Sequence, residues 1–138
     1  MLSQVHSFVR CVVSTGGGIV LRPQNWGKMQ TGIVVWLDAP LDVLCARLAK
    51  EDETSKRPLL DADGGEDARR EKLEGILAER RALYEQADVT VTIDAADDAA
   101  DVAKALVEQV IGFIDANPPK AQEWKRKADA AAAAARGG

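Results

Sequence analysis

The chain has 138 residues, of which 46% are hydrophobic and only 4% aromatic. This length fits one domain at the usual size of roughly 100–200 residues, with a core filled mainly by aliphatic side chains. A formal net charge of -4, from 18 basic and 22 acidic residues, argues against a nucleic-acid partner, which would need clustered excess Lys and Arg. No apolar run approaches the ~20 residues that span a bilayer, so we also predict no membrane partner.

Strand-like and helix-like patterns alternate from the start of the chain. A β-branched run at residues 9–14 predicts a buried strand. The three glycines at residues 16–18 end it, because each glycine costs about 1 kcal/mol relative to alanine in a helix interior. Pro23 suits the first turn of a short helix that reaches about Met29. The nearly continuous apolar run at residues 33–38 predicts a second strand, of the kind that a parallel sheet buries on both faces.

The second half of the chain repeats this alternation. A helix is predicted at residues 40–50, and the polar stretch at residues 51–67 is long enough to form a lid or a binding loop. Amphipathic patterns at residues 66–86 and 97–117 predict two longer helices, with a third strand between them at residues 89–93. Strands that alternate with helices indicate an α/β fold with a parallel sheet.

Composition also divides the chain and places its cysteines. Two prolines after residue 117 end the last helix, so we predict a domain at residues 1–117 and an alanine-rich, low-complexity tail at residues 118–138, to which we assign no function. Cys11 and Cys45 have neither CxxC nor metal-ligand spacing. Because both lie in apolar segments, we predict that they are buried and structural.

Three features could bind an anionic ligand. The glycines at residues 16–18 follow a predicted strand and would let a ligand approach backbone N–H groups, although a plain tight turn has the same pattern. Arg57 in the polar stretch could close over phosphates and neutralise developing charge, or it could be solvated. Arg80 lies on the apolar stripe of its helix and needs a partner, which could be a ligand carboxylate or an internal Asp or Glu.

Five motifs occur in the order found in one enzyme family. They are Val-Val-Ser-Thr-Gly-Gly-Gly at residues 12–18, Arg-Pro-x-Asn-Trp at 22–26, Gly-Ile-Val-Val-Trp-Leu-Asp at 32–38, Arg-Pro-Leu-Leu at 57–60 and Arg-x-x-Leu-Tyr at 80–84. Over about residues 2–112 the chain resembles a shikimate kinase. The second and third motifs are most similar to plastid-type members of that family.

The resemblance implies ATP-dependent phosphorylation of the 3-hydroxyl of shikimate, in aromatic amino-acid biosynthesis. It implies ATP and Mg²⁺ as cofactors, shikimate as the substrate and a chloroplast location. It further implies that a glycine-rich backbone contacts the shikimate hydroxyls, with Gly17 as the best match. The residues concerned are Gly16, Gly17 and Gly18.

Three other residues match functional positions of the family. Arg80 matches the arginine that holds the shikimate carboxylate. Arg57 matches the lid arginine that reaches the ATP phosphates, which makes it the expected catalytic residue. Ser14 matches a position near the magnesium ion and its waters in some members.

The chain also departs from the family pattern. No GxxGxGKS sequence occurs in it, and in the family that P-loop supplies backbone N–H groups, a lysine and a hydroxyl for Mg²⁺. The family's upstream Asp and Arg, which grip shikimate, have no match, and Ala82 replaces a usual proline. The resemblance thus implies an incomplete P-loop NTPase fold of the nucleoside-monophosphate-kinase type, with flanking helices and with strands 1 and 2 of the sheet missing.

These departures lead to three functional hypotheses. Because the resemblance is under way at Leu2, we expect a fragment that is inactive alone and whose partner is the missing N-terminal segment. A noncatalytic shikimate-kinase-like binding or regulatory protein is the alternative. A different small-metabolite kinase is disfavoured, because Arg57 and Arg80 both lie in shikimate-kinase contexts.

Loss of a central strand further predicts that the chain folds poorly or that the strands at residues 9–14 and 33–38 pair directly.

Overall fold

The architecture is α/β, with two parallel strands and flanking helices among the described residues. The computed structural model describes residues 11–51 and 65–118, with positions 123, 126, 129, 130, 133 and 134 beyond them. Its elements in chain order are a 3₁₀ helix at Gly17–Leu21, α1 at Pro23–Met29, β1 at Val35–Asp38, α2 at Leu41–Glu51, α3 at Gly65–Tyr84, β2 at Val89–Thr92 and α4 at Ala99–Ala116. The fold class predicted from the alternating pattern is confirmed.

The sheet consists of β1 and β2, paired in parallel from Val35 opposite Val89 to Asp38 opposite Thr92. A parallel pair needs a crossover connection, which here contains α2 and α3. Just before β1, the backbone N–H of Val34 donates to the Asp88 carboxylate over 2.9 Å, and its carbonyl accepts from the N–H of Val89 over 3.1 Å. These bonds fix the register of the two strands.

The strand predicted at residues 9–14 is wrong in its described part. Residues 11–14 have no regular secondary structure and are exposed, and the side chain of Val12 is fully exposed. Among the described residues β1 pairs only with β2, so the predicted direct pairing with residues 9–14 is not observed there. The reason is that a β-branched run favours extended backbone but supplies no partner for its own N–H and C=O groups. Cys11 is therefore exposed rather than buried, whereas Cys45 is half-buried.

The core is built around β2, which contacts β1 and α4. Residues of β2 alternate between buried and exposed, and Val91 has no exposed surface at all. Partly buried side chains of α2 and α4 pack against a small cluster at the ends of the strands. That cluster consists of Ala39, Val43 and Ile93, with Leu44 and Val102 packed against it.

The helix boundaries follow local chemistry. α4 begins with a reciprocal capping box, in which the Asp98 carboxylate accepts from the N–H groups of Ala100 and Asp101. The backbone N–H of Asp101 and then that of Ala100 lower the pKa of Asp98, because they stabilise its charged form. α3 starts at Gly65, one residue before the predicted start of this helix at residue 66.

α4 ends at Ala116, next to the predicted domain boundary at residue 117. The division into a domain and a tail stays a prediction.

Of the helices in the described part of the chain, none is long and apolar enough to cross a membrane.

Candidate functional site

The glycine segment, defined as residues 16–18, follows an exposed irregular stretch and includes the first two residues of the 3₁₀ helix. Gly16 has φ of 72°, in the left-handed region that favours glycine. All three glycines are exposed. The N–H groups of Gly17 and Gly18 donate no hydrogen bond to any other residue that the structure describes. The segment therefore has two backbone donors that no described residue occupies.

Side chains of α1 hold the carbonyl groups that follow the glycine segment. The Asn25 amide donates to the carbonyl of Ile19 over 2.8 Å, and the buried Trp26 indole N–H donates to the carbonyl of Val20 over 3.2 Å. The Arg-Pro-x-Asn-Trp motif is therefore a clamp, a role that the sequence reasoning missed. A clue was available in the placement of an amide and an indole donor together on a proline-initiated helix.

Tyr84 holds the glycine segment from the other side. It is the last residue of α3, and its hydroxyl donates to the carbonyl of Gly17 over 3.0 Å. Its ring stacks on Trp36 of β1, with ring centres 5.8 Å apart and planes 20° apart. The Arg81 guanidinium carbon lies 5.4 Å from the centre of the Trp36 ring. A guanidinium nitrogen of Arg81 lies 3.7 Å from a carboxylate oxygen of Asp38.

Arg80 is the predicted site residue with the most informative surroundings. It is half-buried, and its Nε is buried without a hydrogen-bond partner. Among the described residues Arg80 forms no ion pair, although its neighbour Arg81 does. The internal Asp or Glu partner considered from the sequence is therefore not found in the described parts of the chain. Because Arg80 precedes Tyr84 by one helical turn, both lie on the same face of α3, which meets the 3₁₀ helix.

The remaining predicted residues are not brought together in the same way. Arg57 lies outside the described residues. Ser14 is exposed and lies two positions before Gly16, the first residue of the glycine segment. In the described parts of the chain, no group of three His, Cys, Asp or Glu side chains could hold a metal ion. Because Mg²⁺ prefers several oxygen ligands, the described side chains do not by themselves form a site for this ion. The roles of Arg57 and Ser14 stay predictions.

A surface pocket of about 260 Å³ lies at the start of α4 and was not predicted from the sequence. There the Arg47 guanidinium donates to the Asp97 carbonyl over 3.1 Å, which fastens α2 to the connection between β2 and α4. The pocket is lined by Val43, Ala46, Arg47, Ala95, Asp97 and Ala99. It contains none of the predicted site residues.

The contact between the glycine segment and α3 gives a first prediction. A Cβ added at Gly17 would lie 2.7 Å from the Tyr84 hydroxyl, whereas a Cβ at Gly18 would meet nothing within 4 Å. We expect Gly17→Ala to displace the hydroxyl and lower the free energy of unfolding by about 1 kcal/mol. Gly18→Ala is the matched control and should leave the thermal unfolding midpoint nearly unchanged. Equal midpoints for the two variants would contradict the contact.

Comparisons with known proteins identify the family of the chain. The shikimate kinase family model matches residues 1–111. Shikimate kinase of Nostoc punctiforme is 43% identical over 111 residues, which are 80% of this chain and 57% of that protein. Shikimate kinase of Thermosynechococcus vestitus is 45% identical over 108 residues, 78% of this chain and 55% of that protein.

A solved structure is similar as well. The crystal structure of shikimate kinase from Bacteroides thetaiotaomicron superposes with a TM-score of 0.66 at 29% sequence identity, covering 78% of this chain and 60% of that one. The chain spans a little more than half the length of the curated relatives described above. A family match over most of the chain, together with relatives above 40% identity, leads to one conclusion: the chain belongs to the shikimate kinase family.

Proposed function

We propose that this chain carries the shikimate-binding part of a shikimate kinase. In this proposal the Arg80 guanidinium holds the shikimate carboxylate, and the backbone of the glycine segment meets the hydroxyl groups. The observation that carries it is the buried, unpaired Nε of Arg80 on the helix face that also contacts Gly17. A buried donor without a partner costs roughly 1–3 kcal/mol, and a ligand carboxylate would remove that cost.

The complete reaction transfers a phosphoryl group from ATP to the 3-hydroxyl of shikimate. Catalysis of such a transfer depends on positioning and on neutralising the phosphate charge. In our proposal Arg57 supplies part of that charge from a lid. An arginine finger alone is worth ~10³–10⁵ in rate, and the absence of a whole phosphate-binding loop should lower the rate at least as much. Because the GxxGxGKS loop does not occur in this sequence, we propose that the chain has no measurable turnover on its own.

The test compares the 138-residue chain with a fusion that supplies the GxxGxGKS-containing segment of a shikimate kinase ahead of residue 1. ADP release is measured with ATP, Mg²⁺ and shikimate, and shikimate binding is measured separately by calorimetry. Turnover only in the fusion, with dependence on shikimate, supports the proposal. Absence of shikimate binding in both proteins would overturn it.

One outcome of this test favours the alternative function. Binding of shikimate by both proteins, without turnover in the fusion, would indicate a noncatalytic shikimate-kinase-like binding or regulatory protein. The sequence feature that favours this alternative is the missing phosphate loop.

We also propose a chloroplast location. Support comes from the plastid-type motifs at residues 22–26 and 32–38 and from the cyanobacterial relatives. Immunoblots of plastid and cytosolic fractions from the source cells test it. Detection in the cytosolic fraction alone would refute it.

A further inference from the structure

Both ends of the proposed binding site depend on the last turn of α3. Arg80 would take the carboxylate at one end, and Tyr84 contacts the glycine segment at the other. The Tyr84–Gly17 hydrogen bond joins residues that are 67 positions apart in the sequence, so it is a tertiary contact rather than part of a local turn. Tyr84 follows Arg80 by four positions, which corresponds to a rise of about 6 Å along the helix.

The Tyr84 ring is itself held from the sheet. Its partner in stacking, Trp36, is anchored in β1 opposite Thr90 of β2. Arg81 lies over the Trp36 ring and also pairs with Asp38 two residues further along the strand. The stack on Trp36 therefore fixes the position of the Tyr84 hydroxyl relative to the sheet. A tyrosine held only by the hydrogen bond of its hydroxyl would not have a fixed position.

Besides the Tyr84 bond, hydrogen bonds to Gly16 and to residues beyond Gly18 hold the glycine segment. The Gly16 carbonyl accepts from the hydroxyl of Thr15 over 3.3 Å and from the N–H of Ile19 over 3.4 Å. The clamp from α1 acts on the carbonyls of Ile19 and Val20. Gly16 and Gly18 have space around them, and among the described residues Tyr84 supplies the side-chain hydrogen bond to Gly17 from a distant part of the chain. Without the Tyr84 bond, the segment loses its contact with α3, and glycine backbone adapts easily to other conformations.

We propose that Tyr84 is a positioning residue for the binding site. Its hydroxyl fixes the glycine segment at a set spacing from Arg80 and turns the N–H groups of Gly17 and Gly18 toward the ligand. The spacing selects a ring of about the size of shikimate, with a carboxylate at one end and hydroxyls at the other. This inference rests on the proposed function, because it names the residue that sets the geometry of the same site.

The test uses Tyr84→Phe, which keeps the ring on Trp36 and removes only the hydroxyl. Thr31→Val is the matched control, because it also removes a hydroxyl that donates to a backbone carbonyl, that of Lys28 over 2.7 Å. In the isotope-labelled 138-residue chain, Tyr84→Phe should shift the carbonyl ¹³C signal of Gly17 and the amide signal of Gly18. Thr31→Val should leave both signals in place, and neither variant should abolish cooperative unfolding.

Shikimate titration of the same proteins provides the second measurement. Tyr84→Phe should weaken shikimate binding roughly two- to tenfold, whereas Thr31→Val should bind as the wild type does. Unchanged Gly17 and Gly18 signals in Tyr84→Phe would overturn the positioning role, and so would unchanged affinity when the wild type binds. If the wild type does not bind shikimate, the proposed function fails, and the Gly17 and Gly18 signals alone decide whether Tyr84 positions the segment.

Discussion

Replacing Arg80 with methionine is expected to weaken shikimate binding by about ten- to a hundredfold while making the ligand-free chain more stable. The loss of affinity follows because a hydrogen bond to a charged group contributes roughly 1.5–3 kcal/mol. The gain in stability follows because Nε of Arg80 is buried without a partner. Methionine has a similar length and no polar donor, so the free energy of unfolding should rise by about 1 kcal/mol.

The control for this experiment is Lys72→Met, which removes one positive charge from an exposed position of the same helix. Calorimetry with shikimate and denaturant unfolding of the ligand-free proteins are the two measurements. Lys72→Met should change neither result appreciably. A decrease in stability for Arg80→Met would mean that the arginine has a structural partner, and it would remove the main support for a carboxylate site.

Replacing Val91 with aspartate is expected to abolish the folded state. Val91 is in the middle of β2, opposite Leu37 of β1, and has no exposed surface. An unpaired carboxylate there would lose its hydration without gaining a partner, at a cost of several kcal/mol. That cost is comparable to the whole stability of a small domain, about 5–15 kcal/mol.

Thr90→Asp is the matched control, since Thr90 is adjacent in the same strand and is exposed. Thermal unfolding followed by circular dichroism should show a cooperative transition for Thr90→Asp and none for Val91→Asp at neutral pH. A cooperative transition in Val91→Asp near the wild-type midpoint would show that β2 does not form the centre of the core.

The elements best predicted from the sequence are those whose pattern is local. β2 alternates in burial as its residues alternate in polarity, and α4 begins at an acidic cap directly before a helical apolar stripe. The proline that starts α1 likewise acts within a single turn. For these segments, the residues that set the structure are neighbours in the chain.

The features that could not be predicted depend on distant partners. The run at residues 9–14 has the composition of a strand, yet within the described parts of the chain residues 11–14 pair with no strand. The hydrogen bond from Tyr84 to Gly17 and the stack of Tyr84 on Trp36 join segments that only the tertiary fold brings together. The sequence placed Arg80 on an inward face, but whether an internal carboxylate reached it depended on side-chain positions in three dimensions.

The stack between Tyr84 and Trp36 has an optical consequence. Tyr84 is the only tyrosine in the sequence, and its ring centre lies 5.8 Å from that of Trp36. At so short a separation, excitation of the phenol passes to the indole, and tyrosine emission is quenched. The chain thus contains a built-in donor and acceptor pair, and recovery of tyrosine fluorescence would report the moment at which the end of α3 separates from β1.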